Sequence, residues 1–166
     1  ELKHCISSAA SDVYKCQVTK RIDVCYGRRL LNYEGVCRRL HGHNAIAEIE
    51  IHTASLDEHH MVCDFGDIKR TVKDWIDREL DHKMILRRDD PLLEPLRLQG
   101  EPVFVVDKNP TVEHIAFLIF VQIRKEGFPV VKVTVWETPT SFATYSEATD
   151  APIGPGDATT RASDTA

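Results

Sequence analysis

The densest chemistry in the chain lies in the run Cys37-Arg38-Arg39-Leu40-His41-Gly42-His43. His41 and His43 are two positions apart, so on an extended chain both imidazoles leave the same face. Two imidazoles converging there make half of a zinc site. Gly42 between them lets another backbone come close. Cys37 stands just upstream, beside two arginines, and the thiolate is the form of cysteine that attacks or takes protons. The same letters also fit two surface-loop histidines and an inert thiol, so the segment taken alone leaves both readings open.

Two further features carry chemistry. Asp81-His82 follows Leu80 at the end of a helical pattern. It is either a solvated polar helix end or a relay in which a carboxylate orients an imidazole. Glu137 shares strand parity with Val131, Val133 and Val135. It is either a strand-end carboxylate in water or one held inside by donors, since a buried carboxylate is costly without them. A ring edge with two N–H groups would be a suitable partner for it.

These residues need elements to position them. Residues 16–24 alternate, with Cys16, Val18, Ile22 and Val24 on one side, which predicts a strand. Residues 30–39 read as a loop. Residues 44–51 alternate cleanly, Ala45, Ala47, Ile49 and Ile51 against Glu48 and Glu50, and predict a half-buried strand. Residues 66–80 place Ile68, Val72, Trp75, Ile76 and Leu80 at helical spacing, with Asp67 in the first turn. Pro91 and Pro95 mark residues 89–101 as a loop, and residues 103–106 as a short strand follow. Thr111 is the expected N-cap of a second helix ending near Lys125, before Gly127 and Pro129. Its middle, residues 115–121, is apolar nearly all round. It needs cover on several sides, from the same subunit or from a second one. Residues 130–137 alternate again. The expectation is an α+β domain over residues 15–146: an antiparallel four-stranded sheet with two helices packed on one face. An extension of uncertain structure (1–14) precedes it and a disordered acidic tail (147–166) follows.

Composition narrows the class. The chain has 166 residues and a formal charge of -5, which disfavours broad nucleic-acid binding. Its five cysteines include no C-x-x-C pair, so reduced thiols and a cytoplasmic location are expected. No apolar run reaches the roughly 18 residues of a membrane span, and no secretory h-region opens the sequence.

Taken in order, Cys37 to His43, Asp64-Phe65-Gly66-Asp67-Ile68-Lys69, Leu80-Asp81-His82, Pro110-Thr111-Val112-Glu113, and Glu137 followed by Ala143 and Tyr145 resemble the 6-pyruvoyltetrahydropterin synthase and 6-carboxytetrahydropterin synthase family. The resemblance covers roughly residues 16 to 146. It implies a tunnelling-type fold whose sheets join between subunits into a barrel, usually a homohexamer, with active sites between subunits. It implies a lyase acting on 7,8-dihydroneopterin triphosphate, in pterin or queuosine-type biosynthesis. Cys37 would be the base, Asp81 and His82 its relay, and Glu137 the grip on the pterin ring, with Thr111 and Glu113 lining the pocket. His41 and His43 would bind zinc. The family's third zinc ligand, however, falls at Arg28, and arginine offers no lone pair to a metal. Either Cys25, Cys37, His59 or His60 completes the site, or Arg28 takes over the metal's role toward substrate oxygens, or the site binds a pterin without catalysis. Arg38, Arg39 and Lys83 are further cations near the site segments, and Arg87 and Arg88 fit solvated surface charge equally well.

Overall fold

A computed structural model describes residues 16–147. The expectations for residues 1–14 and for the tail beyond Glu147 fall outside the described residues. β1 (Cys16–Arg28) and β2 (His41–Thr53) form a long antiparallel ladder, pairing Cys16 with Thr53 at one end and Arg28 with His41 at the other. β5 (Val130–Thr138) lies antiparallel to β2, and β6 (Ser141–Ser146) antiparallel to β5. β3 (Lys83–Arg87) runs parallel to β1, and β4 (Val103–Val106) parallel to β3. The order is β4-β3-β1-β2-β5-β6.

The expected four-stranded antiparallel sheet is therefore corrected to a six-stranded mixed one. β3 buries Ile85 and Leu86 in succession, as a parallel strand covered on both faces does, so it shows no alternation to read. β6 returns from β5 through the two-residue turn Pro139-Thr140, with Thr138 paired to Ser141. It is an edge strand of mostly exposed residues, which hid it from a search for apolar periodicity.

Side-chain parity divides the sheet. Ile22, Val24 and Tyr26 of β1, Ala45, Ala47, Ile49 and Ile51 of β2, and Val133 and Val135 of β5 all point into one core. Two helical units cover that face. The first is continuous but irregular: α1 (Phe65–Ile68), a π stretch (Lys69–Lys73) and α2 (Asp74–Glu79). Its buried residues Ile68, Val72, Ile76 and Leu80 repeat every four positions. That repeat runs ahead of the 3.6-residue turn, and the wider π turn offsets part of the drift. Asp64 caps α1, its Oδ1 accepting from the Gly66 amide at 2.6 Å.

Within residues 89–101, where Pro91 and Pro95 predict a loop, the chain instead forms α3 (Leu93–Leu98). Proline is tolerated within a first helical turn, where the missing N–H has no helical acceptor. α4 (Val112–Lys125) starts at Thr111 as expected, the hydroxyl accepting from the His114 amide at 3.3 Å. Its residues Ile115, Ala116, Ile119, Phe120 and Ile123 are buried by the chain itself. Phe117 and Phe120 meet Tyr145 of β6 edge-on, at centroid distances of 5.1 and 4.9 Å. Cover within one subunit thus accounts for most of this helix's apolar surface. No helix among the described residues is long and apolar enough to cross a membrane.

Candidate active site

At the end of the sheet where Arg28 meets His41, the inward parity of the core continues into polar side chains. Tyr26 and Arg28 follow Val24 on β1, His43 and His41 precede Ala45 on β2, and Glu137 follows Val135 on β5. Three strands thereby aim five polar groups at one place. Glu137 is the hub. Its Oε1 accepts from the Tyr26 hydroxyl at 2.7 Å and its Oε2 from Arg28 Nη2 at 2.7 Å. His43 Nε2 lies 3.7 Å from Glu137 Oε1. Arg28 is only 6% exposed, and its Nη1 donates to the Pro110 carbonyl at 2.8 Å, one residue before the α4 cap.

The electrostatics follow from this packing. Burial, reinforced by the bond to Glu137, pushes the Tyr26 phenol far above its usual range, so it stays a donor. Burial lowers the His43 imidazole below its usual range; Glu137 opposes this, and Arg28 and His41 add to it. The half-buried Glu137 is thus the held carboxylate of the two sequence alternatives, and its donors come from the chain itself.

The two imidazoles expected as metal ligands are brought together, with ring centroids 5.2 Å apart and nearly perpendicular planes. His41 Nδ1 is 2.8 Å from the Arg39 carbonyl, which can only accept, so Nδ1 carries the proton. Both Nε2 atoms are buried and have no hydrogen-bond partner among the described residues. Gly42 is required between them, because a Cβ there would stand 3.0 Å from the Tyr26 carbonyl oxygen of the facing strand.

The donor set nevertheless does not fit zinc. Such a site normally takes three protein ligands and leaves one open position. Here the third neighbour is a guanidinium, with no lone pair and a fixed positive charge. Among the described residues, no group of three or more His, Cys, Asp or Glu side chains is placed to hold a metal ion. His59 and His60 lie in an exposed turn beyond Thr53, the end of β2 opposite His41. Cys25 has the outward parity of β1 and does not join the pair.

Asp81 and His82 form a built corner. Asp81 Oδ1 accepts from the Cys25 amide at 2.7 Å, and the His82 amide donates to the Cys25 carbonyl at 2.6 Å. The other carboxylate oxygen is 2.7 Å from His82 Nδ1. Closing both bonds on one residue of β1 requires a left-handed backbone at His82, with φ of 53°. The His82 ring is exposed and lines a hollow with Cys25, Gly27, His41 and Met84.

Cys37 sits in a 3-10 turn (Val36–Arg38), half-buried. Its carbonyl accepts from the Leu30 amide at 2.9 Å, which closes the loop after β1. Among the described residues no hydrogen bond joins Cys37 to Asp81, His82 or Glu137. The loop is tied down from outside: Arg29 makes a two-pronged pair with the fully buried Asp90, at 2.6 and 2.5 Å. Asn109 clasps Leu31 through both its amide groups at 2.9 Å. Thr111 and Glu113 line a separate hollow with Val106, Lys108, His114 and Phe117.

Sequence reading missed two participants, Tyr26 and the Cys25 backbone. The signal for Tyr26 was present. It continues the Ile22, Val24 parity, but the predicted strand stopped at residue 24 while β1 runs to Arg28.

Comparison with known proteins defines the class. Residues 17–148 match the family described as 6-pyruvoyl tetrahydropterin synthase. A 6-carboxy-5,6,7,8-tetrahydropterin synthase of Rickettsia conorii is 34% identical over 139 residues, spanning 77% of this chain and 96% of its own. A protein of the same name from Aquifex aeolicus is 36% identical over 124 residues, spanning 67% of this chain and 76% of its own. The crystal structure of an uncharacterized Wolinella succinogenes protein superposes with a TM-score of 0.68 at 28% identity, covering 81% of this chain and 99% of that one. Caenorhabditis elegans 6-pyruvoyl tetrahydropterin synthase superposes with a TM-score of 0.62 at 20% identity, covering 81% and 97%, a likeness of fold. The chain belongs to the 6-pyruvoyl tetrahydropterin synthase family.

Proposed function

We propose that the chain is a carbon–oxygen lyase acting on 7,8-dihydroneopterin triphosphate, eliminating triphosphate to give 6-pyruvoyltetrahydropterin, or triphosphate and acetaldehyde to give 6-carboxytetrahydropterin. The observation that carries this is Glu137, a carboxylate fixed by Tyr26 and Arg28 at the polar end of the core, beside two convergent imidazoles. Curated relatives are named for the 6-carboxy product, which favours that branch and a queuosine-type pathway.

In this reading Glu137 receives the guanidine-like N–H edge of the pterin, an orientation set in advance by its two donors. The hollow beside it is walled by Asn44, Ile46, Trp136 and Thr138. Thr111 and Glu113 would line the pterin pocket by family resemblance, although within one chain they line the separate hollow beside α4. Cys37 removes a side-chain proton, and the Asp81–His82 pair carries protons between steps, Asp81 orienting the ring through Nδ1. Among the described residues no hydrogen bond joins Cys37 to the Asp81–His82 corner. We therefore assign them to facing subunits of a homo-oligomer, a hexamer by family resemblance, with the site at the subunit boundary. The chain's working partners are then a small pterin and its own copies in the cytoplasm, with neither nucleic acid nor membrane involved.

A non-catalytic pterin-binding role is the second reading. It is favoured by one observation: Arg28 engages the same carboxylate that would hold the ring. Incubating the purified chain with 7,8-dihydroneopterin triphosphate and following triphosphate release separates the two. Release favours the lyase, and pterin binding without release favours the second reading.

A further inference from the structure

Arg28 Nε, His41 Nε2 and His43 Nε2 are buried side-chain atoms with no hydrogen-bond partner among the described residues, and all three belong to the same polar cluster. Arg28 and His41 are direct cross-strand partners on one face. His43 is the next inward residue of β2, its ring 5.2 Å from His41, and it shares Glu137 with Arg28. Buried polar atoms are costly when unpaired, so such a cluster marks a place where a ligand's polar atoms fit.

The chemistry of the three atoms is complementary. Arg28 Nε–H can only donate. His41 Nε2 is an acceptor in the neutral ring, because its Nδ1 proton is committed to the Arg39 carbonyl. A hydroxyl needs one donor and one acceptor, and this pair supplies both. A metal cation would instead meet two lone pairs and a guanidinium locked in place by Glu137 and the Pro110 carbonyl. We propose that Arg28 has replaced the metal ion of this site, so that Arg28, His41 and His43 hold the hydroxyl oxygens of a ligand's side chain without zinc. The identity of the ligand rests on the pterin reading above: 7,8-dihydroneopterin triphosphate carries a vicinal diol on its side chain. The replacement of metal by arginine rests only on the cluster.

The test uses the full chain in two arms. In the first, zinc affinity is measured by competition with a chromophoric chelator for the wild type and Arg28→His. The wild type should bind zinc at least ~100-fold more weakly than the variant, because a third lone pair completes the site. Wild-type zinc affinity within tenfold of the variant, at one ion per chain, would overturn the proposal. In the second arm, dihydroneopterin, which has the diol and no phosphate, is titrated by fluorescence with excess EDTA. Wild-type binding should be unaffected by EDTA. Arg28→Lys, which keeps the charge but lacks the planar Nε donor, should weaken binding by roughly tenfold or more. Loss of wild-type binding on adding EDTA would equally overturn the proposal. If no form binds dihydroneopterin while the zinc comparison comes out as stated, the pterin reading falls and the metal replacement stands.

Discussion

Arg28 and Glu137 form an ion pair closed off from water, Nη2 to Oε2 at 2.7 Å, with side chains only 7% and 11% exposed. Desolvating two charges is expensive, and their attraction repays it only when every remaining donor and acceptor is also served. Most are: the Pro110 carbonyl serves Arg28 and the Tyr26 hydroxyl serves Glu137. Removing one partner leaves the other buried and unpaired. Arg28→Met should therefore cost on the order of 3–5 kcal/mol of stability by denaturant unfolding. The double variant Arg28→Met/Glu137→Leu should lose less than the sum of the two single changes.

Asp90 is fully buried and grips Arg29 through both oxygens, while Oδ1 also accepts from the Leu92 amide at 2.8 Å. It thereby anchors the start of the loop that carries Cys37. Asp90→Ala should destabilise the chain by about 3 kcal/mol, for the same reason of a stranded partner. It should also reduce triphosphate release more than it reduces pterin binding. Thermal melts and the two assays run on one preparation check both effects.

Burial opposes ionisation of Asp81, but the Cys25 amide, the His82 ring and the charge of Lys73 together outweigh it and hold the carboxyl below its usual range. The unfolded chain, with an ordinary carboxyl near pKa ~3.9, takes up this proton first as pH falls. Asp81 thus adds stability above that value, and the contribution is lost as pH drops through the lower folded value. Asp81 is about one-quarter exposed, so the effect is screened and modest. The stability gap between wild type and Asp81→Asn should be level above about pH 5 and shrink below about pH 4. Denaturant unfolding across that range reads it directly.

Legibility from sequence followed the physics of each segment. β2 and β5 announce themselves because one face is buried and the other wet, so Ala45 to Ile51 and Val131 to Val135 alternate. α4 is bounded by a side-chain cap at Thr111 and a glycine at residue 127 with φ of 86°, both local signals. β3 has no alternation because Ile85 and Leu86 are both buried. Its partners are 57 and 19 positions away in sequence, counting Met84 to Gly27 and to Val103. At the site, residue types gave His41, His43 and Glu137, and the structure joins them. The bond from Tyr26 to Glu137 spans 111 positions and depends on β1 running past residue 24. The departure at Arg28 was visible in sequence. Its pairing with Glu137 was not, because that needs the β1-β2-β5 order.

In the proposed lyase, Cys37 moves the proton. Triphosphate release from 7,8-dihydroneopterin triphosphate, measured side by side for the wild type and Cys37→Ala, tests it most directly. The wild type should release triphosphate steadily. Cys37→Ala should do so at a rate at least ~100-fold lower with pterin affinity unchanged, the scale expected for losing a positioned base. No release by the wild type, or equal release by both proteins, would contradict that role.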